Sequence, residues 1–339
     1  MPGAAGGPAT EELRPILAAA GPVVASLLGS AEERLAQIAA AERVPAPADA
    51  LAAHSSSTLA AGGKRLRPLL VFICGAAEDD PAQGLVGAAC AVELVHMAAL
   101  LHDDVLDRAA LRRGLPTVYS TAGRQAATAT GDYLFACAFA ELAETAGPDA
   151  VRTLSDASTA LVRGELMQRA DAWSGDVTPG RYLERCALKT ASLFTAACAL
   201  GAMLGDPGPP AAGALAEFGR EIGLAFQILD DVLDIAGQPD QTGKRVGTDL
   251  LDGTVTLPVI LARARDPEIR AIDLRSITDP AQAEALCARI AATGALEEAR
   301  EAALEHVAAA KAALRRSGVD DRRLAALELV ADGVVRRQA

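Results

Sequence analysis

The chain has 339 residues, of which 51% are hydrophobic and 3% aromatic, and its net charge at pH 7 is −12. This length provides for one large domain or two ordinary ones, and the hydrophobic fraction provides for a sizeable core. The negative charge argues against a nucleic-acid-binding protein, because such proteins normally present a basic face.

The first ten residues, MPGAAGGPAT, lack the basic segment and apolar core of a signal peptide and predict a short flexible tail over 1–10. The longest apolar run, Ala191 to Gly205, is shorter than the roughly 20 residues that a membrane span needs. We therefore predict a buried helix there and no transmembrane segment. The six cysteines form no CxxC pair, which favours reduced thiols in a cytoplasmic protein.

Helical periodicity and abundant alanine predict helices along the whole chain. The first runs over 10–43, and the second runs over 48–60 and ends at Gly62-Gly63. Pro68 suits the first turn of a third helix, which continues to about Ala77. A long helix over 82–107 precedes a loop at 112–117. The remaining predicted helices span 121–146, 149–172, 179–204, 210–236, 253–264, 280–294, 296–316 and 320–337, with the clearest loops at 205–210 and 237–249. No segment shows the alternation of a strand, and we predict one all-α domain over 11–339.

The pentapeptide DDVLD occurs twice, at Asp103–Asp107 and at Asp230–Asp234, each time after an apolar run. Residues four apart lie on one face of a helix, so each copy pairs its first and last carboxylates. Oxygen ligands of this kind suit Mg²⁺, which is held by one or two carboxylates together with substrate phosphates. A single copy could equally be a solvated helix end. Two identical copies inside apolar helices favour a metal site, because unpaired buried carboxylates are rare.

The second aspartate of each copy, Asp104 or Asp231, points about 100° away from the first. We predict that it orients water or a basic side chain. His96 lies seven residues before Asp103 and shares its face, and Gln227 lies three residues before Asp230 and shares that face. We favour substrate contact for His96 over a role in the core.

Cations accompany these carboxylates. Lys64, Arg65 and Arg67 follow Gly62-Gly63 at a helix start, where anions are favoured. Arg112 and Arg113 follow the first aspartate motif, and Lys244 follows the second. Any one of them alone is more often a solvated surface charge. Their grouping around the aspartates predicts a site for phosphate groups.

The ordered motifs resemble those of the trans-isoprenyl diphosphate synthases, the polyprenyl synthetase family. The resemblance covers about residues 55–260 and is weaker towards the C-terminus. Its motifs are GGKRLRP at 62–68, ELVHMAALLHDDVLD at 93–107, RRGLPT at 112–117, GDYL at 131–134, GELMQ at 164–168, KTASLF at 189–194, AFQILDDVLD at 225–234, GKRVGTDL at 243–250 and TLP at 256–258. A lone DDxxD motif is a weak signal, whereas this ordered series is highly specific.

The resemblance implies antiparallel helices around a deep central cavity, a homodimer, and a site that uses three Mg²⁺ ions. It implies that isopentenyl diphosphate condenses with an allylic diphosphate to give a linear all-trans product. The implied metal ligands are Asp103, Asp107 and Asp230, supported by Asp104, Asp231 and Asp234. The implied contacts to the allylic diphosphate are Arg112, Lys189 and Lys244, and those to isopentenyl diphosphate are Gly63, Lys64, Arg67, His96 and Arg113. Thr190 and Gln227 would line the reacting centre.

Two positions depart from the family pattern. Thr254 stands where relatives often carry a lysine before TLP, so one diphosphate contact is missing or supplied elsewhere. Tyr119 stands where many relatives carry His or Asn. Neither change removes a metal ligand, so we expect activity.

Ala98 and Ala99 stand one turn before Asp103, where bulky aromatic residues stop chain growth in the family. Two alanines predict a medium- or long-chain product, longer than C15, with a C20 product as the close alternative. Since the chain is rich in alanine, both residues could instead be ordinary helix formers. We also expect transient membrane contact on product release.

Three further alternatives are weaker. A class I terpene cyclase generally lacks the second DDxxD and the basic cluster around Lys64. A non-catalytic synthase subunit usually loses one aspartate motif, and this chain keeps both. A helical scaffold does not explain the ordered motifs.

Overall fold

The structure is a computed structural model that describes residues 8–40, 49–77, 84–205, 208–237 and 246–336. Helices dominate these residues, which confirms the predicted all-α class. They are α1 Pro8–Ala20, α2 Pro22–Ala39, α3 Asp49–Ala60, α4 Leu66–Gly75, α5 Leu85–Leu106, α6 Val118–Thr145, α7 Gly147–Ala170, α8 Pro179–Cys186, α9 Ser192–Gly205, α10 Pro209–Ala236, α11 Thr248–Leu251, α12 Leu257–Arg265, α13 Pro267–Ala271, α14 Pro280–Ala291, α15 Ala295–Ser317 and α16 Asp321–Arg336.

Close backbone approaches divide the chain into two compact units. Unit 1 comprises Met1–Asp156, Thr195–Ala216 and Ala313–Val330, and unit 2 comprises Ala157–Phe194, Glu217–Ala312 and Ala331–Ala339. Each unit is therefore made of segments that lie far apart in the sequence. The single domain over 11–339 stays a prediction.

In unit 1, α5 is the central helix. It packs against α2, α4 and α6, and most of its side chains are buried. Helices α4 and α9 approach so closely that a Cβ on Gly75 or on Gly201 would lie within 2.6 Å of a backbone oxygen of the other helix. Glycine at this crossing therefore allows direct backbone contact.

In unit 2, the chain from α8 to α9 contains one wider turn. Residues Ala187–Ala191 form a π-helical turn between these two helices. The short helices α11, α12 and α13 follow α10, and α12 packs against α8, α13 and α14. Single π-helical turns inside α-helices often occur at functional sites, and this turn carries Lys189 and Thr190.

Several boundaries differ from the sequence predictions. The helix predicted over 10–43 is two helices, because Gly21 has a φ of 91°. Since α1 begins at Pro8, the last three residues of the predicted tail are helical, and residues 1–7 lie outside the described residues. The helix predicted over 253–264 begins only at Leu257. Helices α11 and α13 were not predicted.

The prediction of no strands was wrong at one point. Leu111–Arg112 and Leu115–Pro116 are two-residue antiparallel strands that form a hairpin, which overlaps the segment 112–117 that we predicted as a loop. Arg113 and Gly114 form the turn, with φ values of 52° and 77°. Two central residues with positive φ are typical of the tight turn that matches strand twist.

Candidate functional site

The first aspartate motif lies at the C-terminal end of α5 in unit 1. Asp103 is half-buried, and Asp107 is exposed and ends the helix, its backbone N–H donating to the Asp103 carbonyl at 2.8 Å. The first and last carboxylates of the motif therefore stand one turn apart and reach solvent. This placement leaves both side chains accessible to a cation.

Asp104 has a different role from its two neighbours in the motif. Its side chain is buried, and Oδ1 accepts a hydrogen bond from Arg112 Nε at 2.8 Å and lies 2.8 Å from Arg112 Nη2 in an ion pair. Burial raises the pKa of Asp104, and the guanidinium of Arg112 opposes that rise. As predicted from its angle on the helix, Asp104 orients a basic side chain.

The hairpin and the glycine turn before α4 meet in unit 1. Arg113 donates a hydrogen bond to the Gly62 carbonyl. A Cβ at Gly63 would lie 3.2 Å from an Arg113 guanidinium nitrogen and 3.3 Å from Arg65 Nη1. Glycine at 63 therefore lets two guanidinium groups approach the backbone, which explains the residue type here.

Arg65 differs from the other cations of the GGKRLRP segment. Its side chain is 9% exposed and donates to Glu32 at 2.7 Å and to Glu93 at 2.8 Å. Its φ is 47°, in the left-handed region, so the backbone turns the guanidinium inward. Arg65 is thus paired in the interior, whereas Lys64 and Arg67 are half-buried.

His96 lies two turns before Asp103 on α5, and arginines surround it. Burial lowers the pKa of His96 well below its usual value, and the charges of Arg67, Arg113, Arg112 and Arg65 lower it further. The imidazole is therefore neutral at neutral pH. Unit 1 brings together His96 and several cations predicted to bind isopentenyl diphosphate, which is suitable for a diphosphate.

The two alanines assigned to chain length are both buried, Ala98 completely and Ala99 with 8% exposure. His96, Leu100, His102 and Asp103 are the half-buried residues along the same stretch of α5. Ala99 is four residues before Asp103 and shares its face. Ala98 lies on a packed side of the helix.

The second aspartate motif lies near the end of α10 in unit 2. Asp230 is exposed, Asp231 is buried and Asp234 is half-buried. Asp234 Oδ2 accepts the backbone N–H of Asp249 at 3.1 Å, which joins the motif to the first turn of α11. The order of an accessible carboxylate followed by a buried one repeats that of the first motif.

Protein donors occupy both oxygens of Asp231. Tyr182 donates to Oδ2 at 2.6 Å, and Gln227 Nε2 donates to Oδ1 at 2.7 Å. Gln227 Oε1 in turn accepts the Thr190 hydroxyl at 2.6 Å. Burial and then the neighbouring carboxylate of Asp249 raise the pKa of Asp231 to about 8, while the two donors lower it. The predicted pair Thr190 and Gln227 is brought together here.

Two glycines position the π-helical turn. A Cβ at Gly164 on α7 would lie 2.4 Å from the Lys189 backbone nitrogen, and a Cβ at Gly223 on α10 would lie 2.5 Å from Ala191 Cα. Helices α7 and α10 can therefore contact the backbone of the turn only because these positions lack side chains. The GELMQ motif owes its glycine to this contact.

Lys189 forms an ion pair with Glu165, which follows Gly164 in the GELMQ motif. Glu165 also accepts a hydrogen bond from Arg169 at 2.8 Å. Burial raises the pKa of Glu165, but Lys189 and Arg169 outweigh it, so the pKa lies below its usual value. Lys189 is 24% exposed and is held at the surface of unit 2 by this carboxylate.

Thr254 is the main departure from the family pattern. It follows Gly253, which contacts Trp173, the single tryptophan of the chain. The Thr254 hydroxyl accepts a hydrogen bond from Gln168 at 3.4 Å. Trp173 donates its backbone N–H to the Gly253 carbonyl at 2.8 Å, and its ring lies where a Gly253 Cβ would be. The segment before α12 is therefore anchored to the end of α7.

Lys244 lies outside the described residues. Arg65 was predicted to serve a phosphate site with Lys64 and Arg67, whereas it pairs with Glu32 and Glu93 in the interior. Three residues at these sites had no predicted role: Glu165, Tyr182 and Asp249. Glu165 could have been noticed in the sequence, because it is a charged residue next to the glycine of the GELMQ motif. No local signal marked Tyr182, because its partner Asp231 is far away in the sequence.

The carboxylates of the two aspartate motifs suit Mg²⁺ only if substrate phosphate oxygens complete its coordination shell. Among the described residues, no three potential ligands lie close enough to hold a metal ion by themselves. Each motif instead provides accessible carboxylates, Asp103 and Asp107 or Asp230 and Asp234. This set suits Mg²⁺, which binds one or two carboxylates and completes its shell with phosphate oxygens and water.

Comparison with known proteins places these residues in a family. The model of the polyprenyl synthetase family matches residues 48–292. The heptaprenyl diphosphate synthase component 2 of Geobacillus stearothermophilus is 39% identical over 271 residues, which are 80% of this chain and 83% of the relative.

Solved structures resemble the chain over its length. The heptaprenyl diphosphate synthase of Staphylococcus aureus aligns with a TM-score of 0.85 and 28% identity, covering 93% of this chain and 99% of that chain. The polyprenyl synthase of Caulobacter crescentus, complexed with calcium and isoprenyl diphosphate, aligns with a TM-score of 0.84 and 32% identity, covering 100% of both chains.

Proposed function

Because this chain belongs to the polyprenyl synthetase family and is a prenyl diphosphate synthase, we propose that it is an Mg²⁺-dependent trans-prenyltransferase with a medium- or long-chain product. Its substrates are isopentenyl diphosphate and an allylic diphosphate. One observation carries the proposal: every candidate for binding metal or diphosphate lies within the matched residues 48–292.

The basic cluster of unit 1 binds isopentenyl diphosphate. Arg67 and Arg113 provide guanidinium groups, which suit phosphate oxygens, and Lys64 adds a third cation. Neutral His96 donates an N–H without adding charge. Arg112 is assigned to the allylic diphosphate, and because Asp104 holds it in a fixed direction, less side-chain entropy is lost when that anion binds.

The accessible carboxylates Asp103, Asp107 and Asp230 hold Mg²⁺, and Lys189 contacts the allylic diphosphate. Lys244 is assigned to the same diphosphate by resemblance alone. Bound Mg²⁺ neutralises diphosphate charge and makes it a better leaving group. The number of ions, three by resemblance, is part of the proposal.

The reaction breaks the bond between C1 of the allylic substrate and its diphosphate oxygen. The alkene of isopentenyl diphosphate attacks C1 and forms the new carbon–carbon bond. A proton then leaves the isopentenyl unit for the departing diphosphate, which restores a double bond. Apolar helix faces such as that of α5 keep water from the allylic cation.

The product is longer than C15. Ala98 and Ala99 support this assignment, because neither side chain is large enough to stop a growing tail. The names of the relatives also support it, since a heptaprenyl chain is longer than C15. A C20 product is the less favoured alternative.

The direct test is to incubate the purified protein with Mg²⁺, isopentenyl diphosphate and allylic primers of increasing length, and to size the products after dephosphorylation. We expect a ladder that ends above C15. No elongation with any primer would overturn the proposal, and a cyclic hydrocarbon would indicate a terpene cyclase.

We further propose a homodimer that forms through α6. Within unit 1, Ala129, Ala136, Ala140 and Ala143 are exposed on this helix at spacings of three, four and seven residues, which suits a closely packed helix pair. Light scattering should give twice the mass of the chain, and Ala136→Arg should give the mass of one. A relative named component 2 suggests a second subunit as the alternative, which copurification would identify.

We also propose that the enzyme is cytoplasmic and contacts membranes only transiently. Two helices, Leu85–Leu106 and Pro179–Gly205, are long and apolar enough to cross a membrane by length and composition. The apolar window of the first is 78% buried and that of the second 50%. Core helices of this kind pass the same test, and α5 is the core of unit 1. Fractionation of cells into soluble and membrane pools tests the location.

A further inference from the structure

Tyr182 is a fully buried residue of α8 for which the sequence motifs suggest no function. Its hydroxyl donates a 2.6 Å hydrogen bond to Asp231, the middle carboxylate of the second aspartate motif. Burial, and then the charge of Asp231, raise the pKa of Tyr182 well above its usual value. The phenol therefore stays protonated and remains a donor throughout the physiological range.

Asp231 is fully engaged with protein donors. Tyr182 occupies Oδ2 and Gln227 occupies Oδ1, and the residue is 4% exposed. A carboxylate whose two oxygens are bound and shielded is poorly placed to coordinate a metal ion. On either side of it, Asp230 is exposed and Asp234 is half-buried, so these two carboxylates reach solvent.

Tyr182 is itself held from the other side. The Arg185 guanidinium lies over its ring, 5.3 Å from the centroid, and donates through Nη2 to the Val255 carbonyl at 2.7 Å. Arg185 is buried, 3% exposed. Arg185 therefore contacts the face of the tyrosine ring while Asp231 accepts its hydroxyl. These contacts connect α8 to α10 and to the segment before α12.

We propose that Tyr182 is a positioning residue of the second aspartate motif, which it holds through Asp231 in the orientation that binds magnesium diphosphate. This inference rests on the proposed function, since it takes Asp230 and Asp234 to act on Mg²⁺. A tyrosine that only fills the core would affect stability and leave magnesium diphosphate binding unchanged.

The test measures binding of Mg²⁺ with inorganic diphosphate to the full chain by titration calorimetry, without any turnover. Tyr182→Phe keeps the ring and removes the hydroxyl. We expect about tenfold weaker binding, which is about the net contribution of one hydrogen bond. Tyr133→Phe is the matched control, because it removes a tyrosine hydroxyl that donates to the Ile38 carbonyl at 3.2 Å in unit 1, and it should bind like the wild type.

Kinetics give a second readout. In Tyr182→Phe, we expect the Mg²⁺ concentration for half-maximal rate to rise and kcat to fall, with the KM for isopentenyl diphosphate unchanged. A lower melting temperature with wild-type affinity for magnesium diphosphate would overturn the inference, as would wild-type values of both.

A double-mutant cycle with Asp231→Asn tests whether Tyr182 acts through this carboxylate. We expect Tyr182→Phe to have little further effect on binding in the Asp231→Asn background. Independent, additive effects would contradict the inference. The binding probe is inorganic diphosphate, so this test does not require turnover. If the protein bound magnesium diphosphate but elongated no primer, the proposed function would be overturned and the effect of Tyr182→Phe on binding could still be measured.

Discussion

Arg112 and Asp104 form a fork-like contact in which two guanidinium nitrogens, Nε and Nη2, each lie 2.8 Å from the same carboxylate oxygen. The contact joins the hairpin to the helix that carries the first aspartate motif. It separates the three aspartates of that motif into two accessible carboxylates and one that positions an arginine.

Variants of this motif should therefore differ in effect. Asp103→Ala removes a proposed metal ligand, and we expect kcat/KM to fall by more than about a thousandfold, with the fold intact. Asp104→Asn loses only the charged partner of Arg112, and we expect a fall of about 10- to 100-fold. Steady-state kinetics and circular dichroism measure both. Equal losses for the two variants would refute the division of roles.

The second aspartate motif gives a parallel expectation. Asp230→Ala should abolish turnover without unfolding the protein, because Asp230 is exposed and has little part in the core. The thermal midpoint should stay within a few degrees of the wild type. Retained activity in this variant would remove Asp230 from the proposed metal ligands.

Arg65 should be important for stability and its neighbour Lys64 for binding. Arg65→Gln leaves Glu93 buried and unpaired, and we expect a loss of about 3 kcal/mol in the free energy of unfolding. Lys64→Gln should change stability by less than about 0.5 kcal/mol and raise the KM for isopentenyl diphosphate. Urea denaturation compares the two. Similar stability losses would show that Arg65 is not the internal cation.

Substitutions at Ala98 and Ala99 test whether these residues set the product length, and Ala99 is the site where a large side chain should disturb the fold less. Both Ala98→Phe and Ala99→Phe should shorten the product. Ala98 has no exposed surface, so a phenylalanine there should also cost about 1–3 kcal/mol of stability through overpacking. Ala99 shares the face of Asp103 and retains some exposure, so Ala99→Phe should shorten the product with less loss. Chromatography of dephosphorylated products measures this, and unchanged lengths in both variants would refute the assignment.

Acid stability should depend on Glu221 in unit 2. His306 Nδ1 lies 2.6 Å from Glu221 Oε2, and this hydrogen bond is the main reason that the pKa of Glu221 lies below its usual value. A depressed carboxyl pKa stabilises the fold above the unfolded value of about 4.3, and the contribution is lost as pH falls towards the folded value. Glu221→Gln should flatten the acid limb of the stability curve. Glu305→Gln, an exposed change, should leave it unaltered.

The residues proposed to bind metal or substrate were the ones most open to prediction from the sequence. Asp103, Asp104 and His96 lie where helical spacing puts them, because an α-helix converts sequence distance into direction. The inward turn of Arg65 depends on a positive φ, and nothing in the segment GGKRLRP separates it from Lys64. Tyr182 and Asp249 were missed because their partners Asp231 and Asp234 lie 49 and 15 residues away, beyond the reach of helical spacing. Periodicity also carries no information about where a helix widens into a π turn.

That π-helical turn can be described as one residue inserted into a continuous helix. Deleting a single residue from Ala187–Ala191 should close the turn into an ordinary α-helix without breaking the chain's path. Because a π turn absorbs its extra residue locally, the deletion should leave α8 and α9 in the same rotational register and redirect Lys189 and Thr190, which lie in the turn. A family member shortened by one residue here would keep its fold and lose the present directions of these two side chains. Alignment gaps at this turn therefore mark changes in chemistry more than changes in architecture.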